Sequence, residues 1–163
     1  MSDQFQSILL GTAGLSLAAV VSLLLTFLRG STSLDHVQKL QRLTLIGLIL
    51  HSIHFGEETL TGFYEKFPML LGLAPWPINF FVGFNLSCIA LWLLCIPLIK
   101  KHSLAIAPIW FLAIASIINL AAHPLLSIAT GGYFPGLFSS PVVGILGIVL
   151  FRQLISATQN HVL

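Results

Sequence analysis

The sequence predicts an all-α integral membrane protein, a single multi-pass domain over residues 1–163 built as a five-span transmembrane helix bundle. Three observations predict it. First, 56% of the residues are hydrophobic and only 7% charged, with mean hydropathy +0.98, whereas soluble domains are typically ~25% charged. Second, five segments reach the ~20 mostly apolar residues that a span needs: about 5–28, 43–62, 79–99, 104–128 and 139–158. Third, the basic residues fall on alternate connections, so one orientation follows: N-terminus outside, C-terminus cytoplasmic.

Taken in order, span one follows Asp3, with no Lys or Arg before it. A cleaved signal peptide normally has a basic leading region, so none is expected here. Gly30-Ser31-Thr32-Ser33 ends span one, and Arg29, Lys39 and Arg42 place the first connection in the cytoplasm. Span two is interrupted by His54-Phe55-Gly56-Glu57-Glu58. Pro68, Pro75 and Pro77 break the second connection, where Lys66 stands beside Glu65. Span three carries Asn85, and Cys88 and Cys95 on one face read as small hydrophobes rather than a disulfide framework or zinc spacing. Lys100 and Lys101 follow it on the cytoplasmic side. Span four contains Asn119, His123 and Pro124. The fourth connection, Gly131-Gly132-Tyr133-Phe134-Pro135-Gly136, has no Lys or Arg and faces outward, and Arg152 lies near the inner end of span five.

The polar residues are the informative ones. An acidic residue near the centre of a span costs ~2.5–3.5 kcal/mol on insertion scales, more than a simple anchor needs to bear. At 1.5 Å per residue, His54 and Glu58 lie ~2 and ~8 Å beyond the midpoint of span two, and Asn119 and His123 ~5 and ~10 Å beyond that of span four. Asn85 is in the outer half of span three, so polar residues of three spans share one outer layer. Helical phase puts His51, His54 and Glu58 on one face, with Glu57 at its edge, and stacks Asn119 on His123. Pro124 frees the carbonyl of Leu120 and disfavours helical geometry at His123. Irregular backbone at this depth is tolerated only against protein or a wet cavity. Pro135-Gly136 suits the centre of a type II turn, which makes the fourth connection a tight lid.

Three motifs stand in order: His54-x-x-Glu57-Glu58, Asn119-x-x-x-His123, and Gly132-Tyr133-Phe134-Pro135-Gly136. On these the chain resembles the HXXEE-motif family of small multi-spanning membrane proteins, a family named without an assigned function. The resemblance implies a shared membrane-embedded site comprising His54, Glu57, Glu58, Asn119 and His123. It identifies residues and leaves the reaction open.

Two chemistries fit these residues. Neutral imidazoles and carboxylates suit zinc, iron or manganese. His54 and Glu58 can take one ion, with His123 as third ligand and Glu57 orienting a ligand or acting as base. No HExxH or comparable signature is present. Without metal, two adjacent carboxylates in low dielectric resist ionising together, and with a histidine they form an acid/base set. His51, Asn85, Tyr133, Pro135 and Gly136 are expected at the pocket or its lid. Tyr133 and Trp76 read first as interfacial anchors, Trp92 and Trp110 as packing.

The leading functional expectation is a membrane-embedded enzyme acting on a lipidic or other hydrophobic small molecule. The alternatives are a binding or transport module for a metal ion, proton or hydrophobic ligand, and a cofactor-binding accessory subunit of a membrane complex. The cytoplasmic halves are poor in polar residues and no two-fold repeat is present, which favours a one-sided pocket over a transport path. Membrane lipids are the expected surroundings, and a thin five-span bundle makes a homodimer a state to test. The net charge of +2 gives no reason to expect nucleic acid.

Overall fold

A computed structural model describes residues 3–30, 32 and 34–158. Among these the chain forms seven α-helices and one 3-10 turn, with an isolated bridge between Thr32 and Thr158. The helices are α1 (Asp3–Gly11), α2 (Ala13–Arg29), α3 (Leu34–Thr61), α4 (Phe63–Leu70), α5 (Ile78–Leu98), α6 (Ala107–Thr130) and α7 (Ser140–Ala157).

Three helical stretches are long and apolar enough to cross a membrane: α5, residues Ser103–Thr130 including the 3-10 turn before α6, and α7. A fourth is α1 with α2, if the pair, bent by 47° around Thr12, is one span. The expected first span is therefore broken. Its two parts have different partners: Ser7 Oγ donates to the carbonyl of Ala74 at 2.5 Å, while α2 lies along α6. Gly11 at the bend packs against the Trp76 ring so closely that a Cβ there would overlap it.

α3 differs from the expected second span in starting at Leu34 rather than at residue 43. Lys39 and Arg42 thus lie on its early turns instead of in a loop. Its 28 residues reach ~42 Å, enough to cross a ~30 Å hydrocarbon core. What keeps it from being apolar enough is its own polar set, His51, His54, Glu57 and Glu58. Gly62, left-handed at φ +80°, then turns the chain into α4, a short helix absent from the sequence expectation. Pro124, expected to disturb α6, is carried inside a helix that continues to Thr130.

The helices pack as a ring: α6 on α7, α7 on α3, α3 on α5 and α5 on α6, with α2 laid against α6. One half of the ring is dry. Val37, Leu40, Trp92, Ile106, Ile109, Trp110, Leu150 and Leu154 are nearly solvent-free there. Arg29 closes this end by donating from Nε to Thr158 Oγ1 (2.9 Å) and from Nη2 to the carbonyl of Ile155 (2.8 Å), the last turn of α7. His51, His54, Glu58, Asn85 and His123 collect in the other half.

α6 and α7 approach most closely because α7 presents Ser140, Gly144 and Gly147 to its partner. A Cβ on Gly147 would stand 2.7 Å from Ser116 Cβ and 2.9 Å from the carbonyl of Ala113, and backbone cannot swing aside. Small residues are the usual device for close helix approach in membranes. Gly147→Ala should therefore destabilise by ~1–3 kcal/mol, read as a lower Tm in detergent. Gly14→Ala, where nothing stands within 4 Å of a Cβ, should leave the Tm unchanged or slightly raised.

Candidate metal centre

α3 and α6 run in the same direction through the ring, so their second halves reach the same layer. There His54 Nε2 and His123 Nε2 stand 3.5 and 3.4 Å from the same oxygen, Glu58 Oε1. All three ligand atoms lie within 4.8 Å of one another. The residues are buried: 0% exposed for His54, 1% for His123 and 7% for Glu58. Ligands ~2.1 Å from a tetrahedral ion are ~3.4 Å apart, which the two nitrogen–oxygen separations match. This buried group can hold a metal ion.

Hydrogen-bond accounting fixes what each imidazole presents. His123 Nδ1 is 2.6 Å from the carbonyl of Pro135. A carbonyl only accepts, so Nδ1 carries the proton and neutral His123 turns a bare Nε2 toward Glu58. His54 Nδ1 is 2.7 Å from Ser139 Oγ, and Ser139 Oγ donates its single proton to Glu57 Oε2 in a very short contact. Nδ1 must then donate to Ser139, and His54 Nε2 is a lone pair as well. Asn119 Nδ2 points at that lone pair from 3.1 Å. Two lone pairs and a carboxylate oxygen therefore converge, each imidazole held from behind through its Nδ1–H. Outer hydrogen bonds of this kind orient histidine ligands in metal sites.

Glu57, although adjacent to Glu58, faces elsewhere. Its carboxylate accepts from the backbone N–H of Phe138 (3.0 Å) and Ser139 (2.9 Å) and from the Tyr133 hydroxyl (2.8 Å), besides Ser139 Oγ. Those amides belong to the turn that leads into α7, so Glu57 is an anion seated just before a helix N-terminus. It reaches His54 only through Ser139. Burial, and after it the hydrogen bond and charge of Glu57, raise the Tyr133 phenol above its ordinary value against an opposing contact with Thr61. The phenol thus stays a donor.

The fourth connection forms the lid in two steps. Gly131, at φ +70°, ends α6, with Gly131 N–H bonded to the carbonyl of Ile128 and Gly132 N–H to that of Ser127, the double closure of a Schellman cap. Leu137 N–H then bonds back to the carbonyl of Phe134 at 3.1 Å. Gly136 at φ +87° has the sign that a type II turn requires after Pro135. A Cβ on Gly136 would lie 2.6 Å from His123 Nδ1 and 2.9 Å from His54 Cε1. Glycine is thus required twice, by backbone sign and by the two imidazoles.

Glu58, His123 and Asn119 also line a cavity of about 290 Å³, enclosed largely by aromatic side chains including Phe63, Phe81 and Trp92. This size is near the small end of ligand pockets. The expected pocket residues His51 and Asn85 are both on its wall. Two expectations change. Trp76 is no exposed anchor but is 6% exposed and lines the cavity. Tyr133, though partly exposed, bonds into the site. Glu57 stands behind His54, linked to it through Ser139. Ser139 was missed; its signal was Ser139-Ser140-Pro141, a helix start in which an exposed pair of amides needs an acceptor.

Comparison of the chain with protein-family models, with curated proteins and with solved structures gave no match.

Ser139→Ala should cut the His54–Ser139–Glu57 chain while leaving all three converging atoms in place. Loss of such an outer partner typically weakens metal affinity ~10–100-fold, measurable by competition with a chromophoric chelator. Gly136→Ala should abolish tight binding altogether, with helix content by circular dichroism unchanged.

Proposed function

We propose that this chain is a membrane-embedded metalloenzyme acting on a hydrophobic small molecule, with zinc, iron or manganese held by His54, Glu58 and His123. One observation carries the reading. Two imidazole lone pairs and a carboxylate oxygen point at one another inside an apolar bundle, an arrangement that repels itself unless a cation or a proton lies between. Two histidines and one carboxylate with an open side are the donor set of catalytic zinc and of non-haem iron. The open side faces the cavity.

A bound ion would supply Lewis acidity toward a substrate oxygen. The chain supplies the rest. Asn119, 3.1 Å from His54 Nε2 and on the cavity wall, is placed to turn its amide onto a substrate oxygen. His54, Ser139 and Glu57 form a hydrogen-bonded chain from the centre toward the partly exposed Tyr133. The aromatic wall excludes water.

The same reading includes the membrane topology. α3 is taken as the fifth crossing helix, its polar residues turned inward, and the end bearing Arg29, Lys39, Arg42, Lys100 and Lys101 as cytoplasmic. The site then occupies the outer layer, and the three motifs support placing the chain with the HXXEE-motif family. A proton between Glu58 and an imidazole would also relieve the repulsion. That metal-free acid/base reading is favoured by Asn119, which already occupies one lone pair.

Elemental analysis of detergent-purified protein decides between them. Near-stoichiometric zinc, iron or manganese is expected in the wild type and absent from Glu58→Gln and His123→Ala. Metal-free, well-folded wild type that also fails to take up added ion would sink the metal reading. Because both imidazoles and the carboxylate must be deprotonated to bind, occupancy should fall as the pH is lowered; a pH-independent affinity would contradict the assignment.

A further inference from the structure

We propose that Asn119 is a latch on this site: its amide caps His54 Nε2 while the centre is empty and must let go before that imidazole can take an ion. The inference rests on the metal reading above, and its test can fail while that reading stands.

The latch follows from what each atom can accept. With Nδ1–H committed to Ser139, His54 Nε2 offers a single lone pair in the plane of its ring. Asn119 Nδ2 stands 3.1 Å from it. Glu58 Oε1, at 3.5 Å, brings no proton as a carboxylate, so the amide is the donor that this lone pair has. One lone pair serves one donor or one ion. The capped and the ligating states of His54 therefore exclude each other.

His123 is arranged differently. Its Nδ1–H is spent on the carbonyl of Pro135, and its Nε2 faces Glu58 Oε1 at 3.4 Å, with no amide set against it among the described residues. The centre thus has an open half, Glu58 with His123, and a latched half, His54. An ion meets the open half first and gains His54 only as Asn119 yields.

The amide is placed to yield. Its bond to His54 is the one hydrogen bond this side chain makes among the described residues, whereas the Asn85 amide is tied to the carbonyl of Phe81 on its own helix. Asn119 is half-buried on the wall of the 290 Å³ cavity, with Ala115 and Ala122 beside it there on the same face of α6. Neighbours this small leave room for the amide to turn into the cavity. A hydrogen bond of this kind shifts an equilibrium by about fivefold, enough to raise the ion concentration at which the centre fills and too little to keep it empty.

Zinc affinity, measured by competition with a chromophoric chelator, gives the test. Asn119→Ala and Asn119→Leu should each bind zinc about fivefold more tightly than wild type, because the empty site loses a bond that the filled site does not have. Thr130→Ala, exposed at the end of α6 and bonded within that helix, should bind as wild type does. Thermal unfolding gives an independent readout: Asn119→Ala should melt further below wild type when empty than in saturating zinc. A side chain that only packs would lower the Tm equally in both states.

Unchanged affinity in both variants would overturn the latch, and weaker affinity would overturn it in favour of an amide oxygen that ligates the ion. Both results leave the metal centre standing. Zinc held by the variants and not by the wild type would support the latch in its strongest form. No zinc in any of the three would remove the latch and the metal reading together. If neither variant folds, NMR of the wild-type asparagine side-chain amides decides: the Asn119 resonance should lose its hydrogen-bonded shift as zinc binds, and a resonance that bound zinc leaves unmoved refutes the proposal.

Discussion

Three acceptor atoms meet inside a bundle whose surroundings offer them almost no water. That convergence is the constraint on which the remainder of the architecture depends. His54 Nε2, His123 Nε2 and Glu58 Oε1 lie within 4.8 Å of one another, and lone pairs packed this closely in low dielectric repel strongly. A protein sustains this by holding the participants from outside, and a cation or a proton placed among them relieves the repulsion inside. The first condition is met by named bonds: Pro135 holds His123, Ser139 holds His54. The second condition is the one that the proposed metal ion would meet.

The holding bonds reach into the fold. Glu57 closes the N-terminus of α7 with its carboxylate, and Ser139, the residue preceding α7, carries that anchorage back to His54. α3 and α7 are thus joined at the level of the site by charge-assisted hydrogen bonds, stronger than neutral ones. At the far end Arg29 ties α2 to the last turn of α7. Between these fixed ends α7 meets α6 through glycines, close enough to bring His123 beside His54. The dry half of the ring, around Trp92 and Trp110, gives the polar half a rigid base. Polar and apolar layers have separate duties, and the division falls across the helices rather than between domains.

Much of this was legible in the sequence, for reasons that can be stated. Helical spacing was enough to put His54 and Glu58 on one face, and matched depth was enough to bring Asn119 and His123 to them. Pro135-Gly136 announced its turn because the positive φ it needs is nearly a glycine property. What escaped depended on contacts distant in the chain. The break at Thr12 arises because α1 follows Trp76 while α2 follows α6, which no local pattern records. α4 is too short, and its neighbours too apolar, to separate from a connecting loop by periodicity. Trp76 looked like a membrane anchor because composition cannot distinguish a ring at the interface from one facing a cavity. The number of crossings remains tied to α3, where the residues that build the site also dilute the hydropathy that would mark a span.

The pair Glu57-Glu58 shows how one motif can carry two different tasks. Consecutive helical residues point ~100° apart, so these carboxylates cannot serve one partner in the same way. Glu58, at i+4 from His54, lies over the imidazole and meets Nε2. Glu57, at i+3, swings past the ring to the start of α7, where Ser139 passes its influence to Nδ1. The imidazole is therefore held between the two: one glutamate in front, facing Nε2, the other behind as a source of orientation. Exchanging their spacing would aim Nε2 at a helix N-terminus and leave the converging group without its oxygen. His-x-x-Glu-Glu thus sets one carboxylate against the converging imidazoles and the other at the start of the neighbouring helix.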